Sequence, residues 1–184
     1  MNKIENFKIY LGKCHLKSRL KGLKRKTKVY NFDTAKTAGI LFSSPDEQSF
    51  ELIKEFISFL KSKNIEVTSL GYFPGKKIPD KYLLHPHISL FSKMDLNWYY
   101  KPVNASIEQF IQTKFDIFFD LTIHESFPVQ FIRKLSNASF KVGKETTENS
   151  DYDLMFNIGK NKSLDFLIEQ IKHYLAMINN NVNA

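Results

Sequence analysis

Residues 37–73 read TAGILFSSPDEQSFELIKEFISFLKSKNIEVTSLGYF, and this stretch decides the fold class. Thr37–Phe42 is a short apolar run of strand length. Pro45-Asp46-Glu47 then opens a helix, since proline suits the first turn and carboxylates suit the positive end of the helix dipole. Phe50, Ile53, Phe56, Ile57 and Leu60 keep helical spacing to about Lys63, and Asn64 ends the run. Ile65–Phe73 is rich in β-formers and reads as a second strand. A strand, a helix and another strand in succession make a right-handed crossover between parallel neighbours.

The rest of the body continues this alternation. Ile88–Phe91 predicts a third strand, Met94–Pro102 an irregular aromatic segment, and Ala105–Lys114 a helix. Phe115–Ile123 (FDIFFDLTI) is the most strand-like segment of all. Ser126 reads as the N-cap of a helix carrying Phe131, Ile132 and Leu135 inward. Phe140–Gly143 and Tyr152–Ile158 predict two more strands. Ser163 caps a last helix with the stripe Leu164, Leu167, Ile168, Ile171, Leu175 and Ile178, and 179–184 form a polar tail. Phe73 to Ile88 holds prolines and no helical stripe, so this crossover reads as an extended loop. The expectation is a three-layer α/β/α, Rossmann-like sandwich around a mainly parallel sheet of about six strands, preceded by a basic N-terminal helix. Its 184 residues suit one domain, divided into a basic amphipathic arm, 1–30, and a single α/β domain, 31–184.

Charge separates those two parts. Residues 1–30 hold ten bases (Lys3, Lys8, Lys13, Lys17, Arg19, Lys21, Lys24, Arg25, Lys26 and Lys28) and one acid, Glu5, whereas the other 154 residues hold seventeen bases and eighteen acids. The arm also has helical period: Ile4, Phe7, Leu11 and Cys14 form a stripe that Leu16, Leu20 and Leu23 extend with a phase shift. Three readings follow. The stripe packs on the body and the lysines face water; or the cations Lys13, Lys17, Arg19, Lys21, Lys24, Arg25, Lys26 and Lys28 bind nucleic acid, with structured RNA or a ribosomal particle foremost; or the helix lies on an anionic membrane surface. The chain has 24 Lys against 3 Arg, a bias that genome composition also produces. A protein partner or homodimer through the apolar stripe is a further alternative.

Composition excludes several classes. A lone cysteine, Cys14, allows no internal disulfide and no cysteine-cage zinc site. No run approaches the roughly 18 apolar residues of a membrane span. Lys3, Glu5 and Lys8 interrupt any export signal core in the first ten residues, so the expected compartment is the cytoplasm.

Chemistry in an open parallel sheet belongs at the C-terminal ends of the strands. There the sequence offers Ser43, Ser44, Lys93, His124 and Glu125 as an alternative small-ligand or enzymatic pocket. The first loop, Ser43-Ser44-Pro45-Asp46-Glu47-Gln48, has no glycine, loses an amide to Pro45 and carries two carboxylates, all unfavourable to a dinucleotide phosphate. No phosphate-binding G-x-x-x-x-G-K-[S/T] motif occurs. His85 and His87 resemble a metal pair, but they precede the third strand while His124 follows the fourth. Asp116 and Asp120 share a strand face and read as caps or ion-pair partners; Asp120, near the strand end, is also a ligand candidate. The adjacent residues His124-Glu125-Ser126 read as a turn and cap rather than a nucleophilic triad. Trp98-Tyr99-Tyr100 is either a core-anchored loop or a base-stacking platform. The sequence thus nominates no catalytic residue, cofactor or metal, and it inclines toward a non-enzymatic domain that docks on an acidic partner.

Gly39-Ile40-Leu41-Phe42, Phe115–Leu121, Leu135-Ser136 with Phe140–Gly143, Tyr152–Met155, and Ile171–Leu175 with Ile178-Asn179 resemble a family of short bacterial proteins, mostly from Bacteroidota, defined only as a domain of unknown function. The likeness runs from about Gly39 to Asn179. These are strand and helix cores, so the resemblance implies a fold and assigns no catalytic residue. Phe115–Gly143 is also similar, at fold level alone, to the N-terminal domain of heptosyltransferase-type glycosyltransferases, which need a second such domain.

Overall fold

The structure is a computed structural model that describes residues 3–43, 46–85, 88–146, 151–159 and 163–178. The elements in chain order are α1 (Lys3–Leu20), β1 (Thr37–Ser43), α2 (Glu47–Ser62), β2 (Glu66–Phe73), α3 (Asp80–Leu83), β3 (Ile88–Ser92), α4 (Ala105–Gln112), β4 (Ile117–Asp120), α5 (Phe127–Leu135), β5 (Phe140–Lys144), β6 (Leu154–Phe156) and α6 (Leu164–Met177). All strand pairs are parallel, in the order β3-β2-β1-β4-β5-β6. The chain leaves β1 in one direction to reach β2 and β3, then returns to build outward from β4. The switch point therefore lies between β1 and β4.

Side-chain alternation along the strands divides the core into two. Ala38, Ile40 and Phe42 of β1 and Ile117 and Phe119 of β4 pack with α2, α6 and Tyr82 of α3. Leu41 of β1 and Phe118 of β4 face the other way, against Leu16 of α1, α4 and α5. Helices thus cover both faces, which is why the strands read as continuous apolar runs. Burying each large side chain here contributes roughly 1.5–3 kcal/mol.

The arm is part of this sandwich. Leu16 is 4% exposed and Gly12 is buried, while Ile9 and Leu20 pack at the margin of the second core. A β-carbon at Gly12 would sit 2.5 Å from the Phe127 ring, so this contact requires glycine. The packed face is accordingly 9/12/16/20. The sequence stripe Ile4, Phe7, Leu11 and Cys14 lies on the far side, with Ile4, Phe7 and Cys14 exposed. A glycine scores poorly in a search for apolar periodicity, yet here it marks the point of closest approach.

After α1 the chain runs beneath the N-terminal ends of the strands. The Lys28 amide donates to the Ser139 carbonyl, and the Lys36 amide to Asp116 Oδ2 at 2.8 Å. The Asn31 side chain donates to the Ile178 carbonyl at 2.7 Å, closing α6 onto the same edge.

Several elements differ from the sequence reading. The strand expected over Phe115–Ile123 is only Ile117–Asp120, because Asp120 turns the chain by accepting from the Thr122 amide and hydroxyl. The sixth strand is three residues long. Tyr152 lies outside it and covers Gly143, where a β-carbon would fall 2.5 Å from the ring. The Phe73–Ile88 crossover contains one helical turn, α3, whose Tyr82 is buried against Phe50 and Phe73. Ser126 occupies the N-cap position of α5 without a side-chain cap bond; its hydroxyl is buried and unpartnered.

Candidate functional site

The C-terminal strand edge holds a pocket of about 290 Å³ at the switch point. Phe42, Leu121 and Leu164 contribute to its apolar floor; Ser43, Asp46, His124, Ser163 and Asp165 supply polar groups. α2 and α6 both begin here. Asp46 accepts from the Ser49 amide at 2.7 Å and Ser163 from the Phe166 amide at 3.3 Å, so each helix start is already capped by its own chain. The Ser49 amide holds the Asp46 carboxyl below its ordinary range. The lining contains two carboxylates and no Lys or Arg. Such a pocket disfavours anions, in line with the glycine-free first loop.

Of the five residues nominated for this edge, Ser43 and His124 meet: the Ser43 hydroxyl donates to the His124 carbonyl at 3.4 Å, and both line the pocket. Ser44 lies outside the described residues. Lys93 follows β3, two strands from β1 and thus about 10 Å to the side, and is exposed. Glu125 points to the other face, where it accepts from Arg133 at 2.8 Å. The pocket instead recruits Ser163 and Asp165, which belong to the last helix. Only the return of α6 to the α2 face brings them to the switch point.

On the opposite face of the same edge, a buried polar cluster pairs its charges internally, although Arg133 Nε has no hydrogen-bond partner. Asp120, 1% exposed, accepts from Tyr152 Oη at 2.6 Å and lies 3.6 Å from Arg133, itself 2% exposed. Burial, then the neighbouring Asp120 charge, pushes the Tyr152 phenol well above its ordinary value. Beside it Lys141, 2% exposed, donates to the Arg133 carbonyl at 2.9 Å and closes the C-terminus of α5. Burial, and secondarily Arg25, lower its pKa to about 8. These groups bind one another and hold α5 and the Tyr152 loop to the sheet. Asp116 has a similar structural job, accepting the Lys36 and Thr37 amides.

His85 packs on the Phe50 ring at 5.2 Å between centroids. β3 pairs only with Ser69–Phe73, the later half of β2, so the crossover descends only part way and His85 stays near the first turn of α2. His87 lies outside the described residues. In the aromatic run, Tyr100 anchors in the second core, Tyr99 faces His15, and Trp98 is 60% exposed.

The arm divides by residue type. Both of its arginines are engaged by the body: Arg19 binds Glu108 through two bonds of 2.8 and 2.6 Å, and Arg25 binds Asp153 through two of 2.5 and 2.7 Å. Asp153 also accepts the Lys141 amide at 2.7 Å. The planar guanidinium suits such two-point bonds. Lys13, Lys17, Lys21, Lys24, Lys26 and Lys28 are exposed, and no ion pair engages them among the described residues. Lys28 lies 4.8 Å above the Tyr30 ring.

The strand N-terminal edge adds to them. Lys36 precedes β1, Lys114 precedes β4, and Lys63 ends α2; all three are exposed. With Lys21, Lys24, Lys26 and Lys28 they face Asp33 and Glu66 as the exposed acids in the same connections. Lys36, Lys63 and Lys114 were missed in the sequence because they are dispersed. The usable signal was topological: positions just before parallel strands share one edge.

A family model, the family of unknown function DUF6913, matches residues 8–178. The chain belongs to the DUF6913 family. The DUF6913 match begins inside α1, well before Gly39, so the family's domain takes in the helix that packs on α5. No curated protein matches the chain. Among the described residues, no helix is long and apolar enough to cross a membrane, and no group of three His, Cys, Asp or Glu side chains is placed to hold a metal.

Proposed function

We propose that this protein is a non-enzymatic cytoplasmic domain that docks on an acidic partner, structured RNA or a ribosomal particle, through lysines at the N-terminal edge of its sheet. The carrying observation is the division between arginines and lysines. The fold uses Arg19 and Arg25 to fasten the arm, and leaves Lys21, Lys24, Lys26 and Lys28 exposed at the strand edge that also carries the exposed Lys36, Lys63 and Lys114. An unpaired ammonium beside a phosphate releases a condensed counterion, which favours binding without any base contact. The fastened arm fixes these lysines on a rigid edge, so the surface reads shape and charge rather than sequence.

The direct test is affinity capture of the full chain at low salt, with and without ribonuclease, for wild type and for Lys24→Glu/Lys26→Glu/Lys28→Glu. Nucleic acid that co-purifies with wild type and is lost with the triple variant supports the reading. Equal recovery with both proteins, or none with either, refutes it.

The switch-point pocket supports a second reading, a small neutral or cationic ligand bound among Ser43, Asp46, His124 and Asp165. Its two carboxylates and apolar floor favour such a ligand over a phosphate. Thermal stabilisation by amines or polyols, lost in Asp165→Asn, is its test.

A further inference from the structure

α1 runs alongside α5 in the same direction. Gly12 abuts Phe127 at the start of α5, His15 stacks on Phe131 at 6.2 Å, and Leu23, just past α1, lines a shallow recess with Leu135 at the end of α5. The residues before Gly12 therefore extend past the start of α5, beyond the C-terminal edge of the sheet. Nine helical residues, Lys3–Leu11, rise about 13 Å. Within them Ile4 is 62% exposed, Phe7 57% and Tyr10 62%. Phe7 lies half a turn around from Leu16, so this face points away from the body. An isolated helix of two turns is not stable in water; this one is held by Ile9 at the core margin and by continuity with its packed half.

Lysines rim the apolar face. Lys3, Lys13 and Lys17 are exposed and Lys8 is half-buried, against one acid, Glu5. Trp98, also exposed, belongs to the loop whose Tyr99 carbonyl would meet a side chain at Gly12. Unpaired bases stack on aromatic rings, but the aliphatic Ile4 beside Phe7 offers them no such platform. A second copy of the chain would bring a like-charged helix against it.

We infer that the projecting half of α1 docks on an anionic lipid surface, with Ile4, Phe7 and Tyr10 entering the headgroup boundary and the flanking lysines meeting lipid phosphates. Exposed apolar side chains flanked by cations match what an interfacial helix requires. This surface lies at the strand edge opposite the RNA-facing lysines and stands independently of that reading.

The test is co-sedimentation of the full chain with vesicles of phosphatidylcholine alone, or with one third phosphatidylglycerol, for wild type and Ile4→Glu/Phe7→Glu. Both positions are exposed, so an unchanged thermal midpoint confirms folding. The expected result is sedimentation of wild type with the anionic vesicles only, and at least a tenfold loss in the double variant. No binding to anionic vesicles, or binding that the variant leaves unchanged, overturns the inference. Self-association of wild type in light scattering that the variant abolishes also overturns it, assigning the face to a second copy. The double variant retains its RNA recovery, so failure here and failure of the lysine reading are separable.

Discussion

The two edges of the sheet treat charge in opposite ways. At the C-terminal edge charges are paired within the fold: Asp46 and Ser163 cap their own helices, and Arg133 lies among Asp120, Glu125 and Tyr152. At the N-terminal edge Glu108 and Asp153 engage the arm's arginines and Asp151 engages Lys134 of α5, while no ion pair among the described residues holds the arm's lysines. The difference separates charge that builds the fold from charge available to a partner. Net charge along the sequence does not make that distinction, since Arg25 and Lys26 are neighbours with opposite fates.

The comparison is broken most severely by removing the arm. Deleting residues 1–28 uncovers the second core at Leu16 and Leu20 and abolishes both guanidinium pairs. We expect a loss of more than about 4 kcal/mol, read as a collapse of the urea midpoint. An unchanged midpoint shows that the arm is detachable and that its arginines are as free as its lysines.

Asp153→Ala acts on a single fastening point. It leaves Arg25 without its carboxylate and the Lys141 amide without its acceptor, at a cost of about 2 kcal/mol. Lys24→Gln, one residue away from Arg25, costs less than about 0.5 kcal/mol. Equal effects of the two in chemical denaturation remove the distinction between structural and available cations.

pH sharpens it further. Lys141 has a pKa of about 8 in the fold against an ordinary 10.5. Between those values the unfolded chain holds a proton that the folded chain has released, so stability rises with pH across that window, by up to about 1.4 kcal/mol per pH unit. The raised Tyr152 phenol opposes this above its ordinary pKa of 10, where the unfolded chain loses a proton that the fold retains. Stability measured by denaturant at successive pH values rises between pH 8 and about pH 10 in wild type and lacks that rise in Lys141→Met. Parallel curves contradict the buried ammonium. The smallest effect belongs to the pocket: inorganic phosphate shifts the melting temperature no more than chloride at equal ionic strength, because Asp46 and Asp165 face the space it would enter.

Much of the architecture was legible because each crossover left its period in the chain. The helical stripe Phe50–Leu60 and the strand Thr37–Phe42 stand almost where the sequence places them. Apart from the strand that Asp120 ends through its local bonds to Thr122, what failed involved contacts made by residues distant in the chain. Gly12 and Gly143 matter for the rings that approach them, and Tyr152 leaves its expected strand to reach Asp120. The pocket was half legible. Ser43 and His124 follow adjacent strands and meet, whereas Lys93 and Glu125 follow strand ends equally well but diverge by strand position and by face. The basic arm was legible as composition, while its division into engaged arginines and free lysines needed Glu108 and Asp153 placed in space.

The central claim is that the lysines of the strand N-terminal edge meet phosphates. The most direct measurement is the salt dependence of affinity for a structured RNA, for wild type and Lys24→Glu/Lys26→Glu/Lys28→Glu. Each lost phosphate contact lowers the slope of log affinity against log salt by about 0.9 on a duplex. The account predicts a steep wild-type slope that the triple variant reduces by about three contacts, with affinity lower at every salt concentration. A slope unchanged by the triple variant, or a wild type that does not bind RNA at low salt, contradicts it.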